Sequence, residues 1–476
     1  MFLVIPTVIR FRPIVKTQLE EKLNQFGQSH LLQFWDELNE TEQASLAKQI
    51  ENIDFGLIKT LAAGHASADI WEELAAKAEV PPAITLADYA DEGSYNEAVT
   101  IGSEALRAGK VGMILVAGGQ GSRLGFDHPK GMFPIGPVSN RTLYQMHFEQ
   151  VMARSKQFGV TIPIYVMTSP PTHEESTNFL TQNNFFGMDP ANVKIFCQGV
   201  MPAVDSDGKL LLEEKGKVFV SPDGHGGTLA ALVNSGCLKD ATDRGVEHIF
   251  YGQVDNPLIQ ICHPALVGYH LKSGSEMTSQ VVRKNEPTQK VGNVVQVDGK
   301  VQIIEYSDLP EQHARQTNAD GSLKLWAGSI AVHIFSTSFL QKSSGEAETL
   351  PFHRANKKVS FVNDAGNVVQ PDQPNAIKFE RFIFDLLPFA KNAIVCEVDP
   401  SDGFCAVKNA PPAPSETPEH VKAAISDLHT RWLAEAGVTV QSGVTVEINP
   451  MFAPDVETLA QKVESGTNIS EPTYFV

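Results

Sequence analysis

The chain has 476 residues, past the length at which a single hydrophobic core stops growing, so more than one domain is expected. With 42% apolar and 20% charged residues it has the make-up of an ordinary soluble enzyme, which excludes a disordered chain or a miniature scaffold. A formal net charge of −18 argues against DNA or RNA as partners, while a small anionic ligand needs only a few local cations and backbone N–H groups.

The apolar run Met1 to Ile9 has its basic residues, Arg10 and Arg12, after it and no small-residue cleavage site; it reads as a short strand or as sequence from an upstream start. No stretch approaches the roughly 20 apolar residues of a membrane span, so no membrane partner is expected. From Lys16 to about Ala76 the apolar residues recur at helical spacing, and Asn39 and Thr41 are candidate caps for the third helix. Pro81-Pro82 and the acidic stretch from Asp88 to Glu97 mark a transition, and Tyr95 to Leu106 predicts a further helix.

Short apolar runs then alternate with helical segments. Strands are expected near 111–117, 162–168, 193–198 and 248–254, and helices near 142–158, 173–183 and 228–235. Alternation of this kind implies crossover connections and a mainly parallel sheet, with ligands beyond the carboxyl ends of the strands. Asp298-Gly299 predicts a hairpin turn inside a turn-rich insertion over 279–307. A strand at 393–398, a Pro-rich loop at 410–418 and a helix at 420–436 lead into a small β-rich tail. The five cysteines form no C-x-x-C pair, and their odd number suits reduced thiols and a cytoplasmic protein.

The strongest local signal is Leu115 to Gly125 (LVAGGQGSRLG), followed by His128-Pro-Lys-Gly131. A buried strand runs into a loop with glycines at 118, 119, 121 and 125, where backbone can approach phosphate oxygens, and Arg123 and Lys130 bring positive charge to the same place. The G-K-[ST] end of a Walker A loop is missing, and so is the G-x-G-x-x-G spacing of a dinucleotide site. The acidic residue a dinucleotide site needs about 20 positions later is also absent, since Arg141 and Thr142 stand there. Asp255 closes the apolar run from Ile249; a carboxylate there either caps a helix or holds Mg²⁺ between phosphates.

This segment resembles the signature of the eukaryotic-type UDP-N-acetylglucosamine pyrophosphorylases, within the wider UDP-sugar pyrophosphorylase family. Further stretches match that family in the same order: Phe196 to Ala203, Ser221 to Gly227, Val254-Asp-Asn256, Ile304 to Ser307, Trp326 to His333, Pro374 to Glu380 and Val407-Lys-Asn409. The resemblance implies an α/β fold with a Rossmann-like mixed, mainly parallel sheet of the nucleotide-diphospho-sugar transferase type. It implies a helical N-terminal region over 1–105, a nucleotide- and sugar-binding catalytic domain over 106–388 and a small C-terminal domain over 389–476. The implied reaction is transfer of a uridylyl group from UTP to a sugar 1-phosphate with Mg²⁺ as cofactor. In-line attack of one anion on another needs charge neutralisation and positioning more than a protein nucleophile.

By the same resemblance, Leu115, Ala117, Gly118, Gly119, Gln198, Gly224 and Asp255 contact UTP, with Asp255 also the metal ligand. Arg123, Lys130 and Lys378 carry the catalytic charge, and His225, Gly292, Glu305, Tyr306, Ser329 and Lys408 hold the sugar phosphate. Composition alone reads Lys378 and Lys408 as solvated surface lysines and Gln198 as an amide serving local backbone. The chain departs from the N-acetylglucosamine pattern at two carboxamides, replaced by His225 and Ser329. N-acetylglucosamine 1-phosphate is therefore the expected substrate, with a glucose-1-phosphate uridylyltransferase or a broad-specificity enzyme as the alternative. A silent UDP-sugar sensor is disfavoured by the retention of Arg123, Lys130 and Asp255 together, and His225 also has a reading as a structural loop residue.

Overall fold

A computed structural model describes residues 16–64, 68–345 and 350–476, and the apolar segment at residues 1–9 lies outside them. The chain forms two compact units, one from 1–65, 200–224 and 352–381, the other from 66–199, 225–351 and 382–476. The borders expected at 105/106 and 388/389 do not coincide with the borders of these units.

In the first unit, helices Lys16–Gln25, Glu40–Asn52 and Phe55–Ala63 supply one apolar wall. Asn39 caps the second of them, accepting from the Thr41 and Glu42 backbone while the Glu42 carboxylate accepts from the Asn39 N–H; Thr41 is not a cap. Leu23, Leu46, Ile50 and Phe55 pack with Val204, Leu210, Val218 and Phe379 from the two later segments. Strand Val200–Pro202 pairs with Val220–Pro222, and His353–Lys357 pairs with Ala376–Glu380.

The second unit is built on one ten-stranded sheet. Its strands are β1 Ala83–Ile84, β2 Val111–Val116, β3 Ile164–Thr168, β4 Val193–Cys197 and β5 His248–Gln253, then β6 Met277–Arg283, β7 Asn293–Val297, β8 Lys300–Ile304, β9 Ala327–Ser336 and β10 Ile394–Glu397. The path runs β1-β10-β6-β9-β5-β2-β3-β4, with β7 joining β8 and β9. Pairings from β5 through β4 are parallel, as are β1/β10 and β10/β6, whereas β9 runs antiparallel to both of its sheet-path neighbours. The mixed, mainly parallel sheet of the expected α/β class is therefore present. Its strands are continuous apolar runs because both faces are covered: Met113, Leu115 and Val166 pack into one core, Ile114, Tyr165 and Met167 into the other.

Helix Leu143–Phe158 begins at Thr142, whose hydroxyl accepts from the Gln145 N–H, and stops at Gly159 in the left-handed conformation. The predicted hairpin between β7 and β8 turns on Asp298 and Gly299, both at positive φ, as a two-residue type I′ connection requires. Helix Pro418–Glu435 and the parallel pairs Thr439–Val440/Asn468–Ile469 and Val446–Ile448/Thr473–Phe475 enclose a separate small core around Leu433, Val446 and Leu459.

Candidate active site

The glycine-rich loop leaves the carboxyl end of β2, between β5 and β3, where side chains from several strands converge. Leu115 and Ala117 are fully buried, so main chain is what they offer a ligand; the Ala117 N–H already donates to Met167 O at 2.7 Å. Gly118 is packed so closely against Gln198 that a Cβ would stand 2.7 Å from Oε1, and the Ser169 hydroxyl donates to Gly118 O at 2.6 Å. Gln198 is buried and anchored through its N–H to Thr168 O. Its amide oxygen lies against the loop at Gly118.

Lys130 is only 7% exposed. Its N–H donates to Gly119 O, folding the His128 to Gly131 segment back on the glycine loop. Its ammonium donates to Asp255 Oδ2 and to Val407 O, both at 3.3 Å. Burial follows from that pairing, because an ammonium leaves water only with an anion and acceptors around it. Asp255 lies two residues beyond the end of β5 and caps no helix; its backbone oxygen accepts from the Val407 N–H at 2.9 Å, so Asp255, Val407 and Lys130 close a small cycle. Asn256 secures the same crossing by donating to Gly403 O and accepting from the Cys405 N–H. Arg123 is exposed with no ion pair to a described residue, and its carbonyl accepts from the Ala410 N–H. Lys408 pairs with Glu416 at 2.9 Å, so it is held in place where composition suggested a free solvated chain.

A second cluster forms at the start of β7. Gly292 O accepts from the Ser329 N–H at 2.8 Å, and a Cβ on Gly292 would meet Glu305 Oε1 at 2.8 Å. Three residues spread over 38 positions of sequence therefore share one corner, while the neighbouring Tyr306 side chain is 48% exposed. Beneath them Lys284 is buried and donates to Asn293 Oδ1, and burial draws its ammonium down to about 8. His225 stacks on Phe382 with centroids 5.1 Å apart, and its Nδ1 accepts from the Ile383 N–H at 3.2 Å. These contacts give His225 a structural duty, with Nε2 left to carry the proton.

Gly224 and Lys378 belong to the first unit. There Asp223 O accepts from the Arg381 N–H, and Lys378 lies over the Phe219 ring at 5.1 Å, its ammonium shifted below the usual lysine range by burial. Sequence reasoning missed Ser169, Asn256, Lys284 and the Val407 carbonyl, since main-chain acceptors and buried hydroxyls leave no motif. Among the described residues no cluster of three or more His, Cys, Asp or Glu side chains could cage a metal ion, and all five cysteines are free. No helix among them is long and apolar enough to cross a membrane.

The profile of the family described as UTP--glucose-1-phosphate uridylyltransferase matches residues 73–415. The chain belongs to this family. It is 38% identical over 430 residues to UDP-N-acetylhexosamine pyrophosphorylase-like protein 1 of Homo sapiens, covering 87% of this chain and 85% of the relative. It is 32% identical over 464 residues to the UDP-N-acetylglucosamine pyrophosphorylase of Saccharomyces cerevisiae, covering 94% and 97%. Among solved structures, the uridine diphosphate N-acetylglucosamine pyrophosphorylase of Trypanosoma brucei, crystallised with an inhibitor, superposes with a TM-score of 0.79 at 25% identity, covering 94% of both chains. Family membership makes the chain a nucleotidyltransferase acting on a nucleoside triphosphate and a sugar 1-phosphate.

Proposed function

We propose that the chain transfers the uridylyl group of UTP to N-acetylglucosamine 1-phosphate, releasing pyrophosphate. A phosphate oxygen of the sugar 1-phosphate forms the new bond to the α-phosphorus. The bond from that phosphorus to the bridging oxygen breaks, and its electron pair leaves with pyrophosphate. No proton need move, because the attacking phosphate is already ionised. The observation that carries the reading is the buried Lys130 ammonium held by Asp255 and Val407 O at the strand ends beside the glycine loop. A charge fixed there costs no reorganisation when negative charge shifts toward the leaving group.

In this reading Gly118, Gly119 and the main chain of Leu115 and Ala117 line the nucleotide, Gln198 and Gly224 read the base, and Arg123, Lys130 and Lys378 neutralise phosphate. Gly292, Glu305, Tyr306, Ser329, His225 and Lys408 receive the sugar phosphate, with the Glu305 carboxylate accepting from sugar hydroxyls. A divalent cation is the cofactor of this chemistry, and Mg²⁺ fits the donor set: Asp255 is one hard carboxylate without a protein cage, the arrangement Mg²⁺ takes when substrate phosphates complete its shell. Such an ion draws charge from the phosphate oxygens when bound. Free thiols throughout fit a cytoplasmic enzyme. Broad specificity is the second reading, favoured by His225 and Ser329: the serine is smaller than a carboxamide and His225 spends its Nδ1 on Ile383. Incubation with UTP and N-acetylglucosamine 1-phosphate should yield UDP-N-acetylglucosamine on anion exchange, and ATP in place of UTP should yield none; a product with ATP alone would overturn the assignment.

A further inference from the structure

Apart from the strand-end site, the second unit encloses a cavity of about 330 Å³, the lower end of the range for small-molecule sites. Its wall runs over Pro257–Ile261, Asp399, Asp402 and the helix and tail after residue 420. One group on that wall is anomalous. Gln280 is 8% exposed, yet its carboxamide makes no hydrogen bond to any described residue. The amide is not sealed off from solvent, so what it meets in the cavity is water or a ligand. Gln280 lies on the face of β6 that also carries Val282, opposite Met277 and Val281, and this face meets the cavity. The His263 ring, on the same wall, likewise makes no hydrogen bond.

Carboxylates outnumber cations around the cavity: Asp399 and Glu457 line it without an ion pair to a described residue, while three others are paired. Arg154 faces Asp455 at 3.6 Å, Arg283 pairs with Glu397 at 2.9 Å and Arg431 with Asp402 at 2.6 Å. Burial and the Arg154 guanidinium push the His263 imidazole down to about 3, so it stands neutral, with one donor and one acceptor nitrogen. Among the unspent neutral groups are a carboxamide and an imidazole, each offering a donor beside an acceptor. Aromatic walls from Tyr89, Tyr95 and Trp432 complete the site.

We propose that this cavity is an effector site for a small neutral heteroaromatic ring bearing an amide-like edge, an N–H beside a C=O, the class to which the pyrimidine bases belong. The surplus of carboxylate excludes an anion as the preferred ligand, and an amide edge satisfies both atoms of Gln280. The route to turnover is short: Pro257 follows Asp255 and Asn256, and Asn256 holds Gly403 and Cys405, on the strand-like segment that leads to Val407 and Lys130. The effect on rate, though not the binding, rests on the uridylyltransferase reading.

Saturation-transfer NMR on the full chain tests this with uracil and 2-pyridone as probes and toluene and benzoate as controls, the two cavity variants separating this site from the nucleotide site. Transfer to both lactams is expected, weakened at least fivefold by Gln280→Leu, which keeps the volume and removes the amide, and by Ala453→Met, which fills the cavity at a buried alanine. Saturating 2-pyridone should also change kcat at least twofold at unchanged KM for UTP. No transfer to either lactam, equal transfer to benzoate, or transfer undiminished in both variants would overturn the site. Transfer without any change in kcat would overturn its effector role.

Discussion

Replacing Lys130 by methionine separates charge from bulk at the strand-end site. The ammonium serves two acceptors at 3.3 Å, with 9% of its side chain and 15% of that of Asp255 exposed. At an effective dielectric of 20, one such ion pair amounts to about 5 kcal/mol of gross attraction, most of it offset by the desolvation of both charges. Breaking a fully buried pair typically costs about 3–5 kcal/mol; water reaching Asp255 discounts this, so Lys130→Met should lower unfolding stability by about 1–3 kcal/mol in urea. Turnover should fall further, by about 3 kcal/mol in activation free energy or a hundredfold in kcat, since the positive charge at the phosphates is gone. Adding Asp255→Asn removes the stranded carboxylate and should return part of the stability while returning none of the activity. A Lys130→Met protein that loses stability but keeps kcat within twofold would refute the reasoning and leave Lys130 as a structural lysine.

Other outcomes follow from the same geometry. Asp255→Asn alone should raise the Mg²⁺ concentration at half-maximal rate at least tenfold, measured by titrating the ion at fixed UTP, because the amide keeps the shape and loses the anion. Gly292→Ala places a methyl 2.8 Å from Glu305 Oε1 and should raise KM for the sugar phosphate about tenfold with a small effect on KM for UTP, checked by steady-state kinetics. His225→Asn with Ser329→Asn should shift the ratio of kcat/KM toward the acetamido sugar by up to about thirtyfold, at a stability cost near 1 kcal/mol from the lost ring stacking on Phe382. Burial holds His147 at about 4 and His270, His333 and His429 at about 3, all below their unfolded value near 6.5. The unfolded chain therefore binds the extra protons as pH falls. Stability should be full above pH 7 and decline between about 6.5 and 4, by about 1.4 kcal/mol per pH unit for each histidine, as urea midpoints across that range would record.

What the residues disclosed in advance was local chemistry. The glycine loop after an apolar strand, the cap at Asn39 and the Asp298-Gly299 turn each depend on neighbours within a few positions, and the structure has all of them. Asp255 was legible as a strand-end carboxylate, yet whether it capped a helix or faced the site turned on Lys130, 125 residues earlier. The burial of Lys130 was illegible for the same reason. The division into units was hidden because the segments 200–224 and 352–381 are short hairpins; Leu210 N–H to Gln28 Oε1 joins the first to the N-terminal region and Val204 to Ile377 joins the two to each other, contacts which no local period announces. Gln280 fell in the stretch over 279–307 that read as a turn-rich insertion, and its place in β6 on the cavity wall depends on residues such as Pro257 and Trp432 far along the chain.

The central claim is that a uridylyl group passes from UTP to a sugar 1-phosphate at the site formed by the glycine loop, Lys130 and Asp255. Its most direct test is the rate of pyrophosphate release from UTP and Mg²⁺ with N-acetylglucosamine 1-phosphate, glucose 1-phosphate or no acceptor, in the parent protein and in Lys130→Met. Release should require an acceptor, run fastest with N-acetylglucosamine 1-phosphate, remain measurable with glucose 1-phosphate and fall about a hundredfold in the variant; release that is absent with every acceptor, or equal in parent and variant, would contradict it.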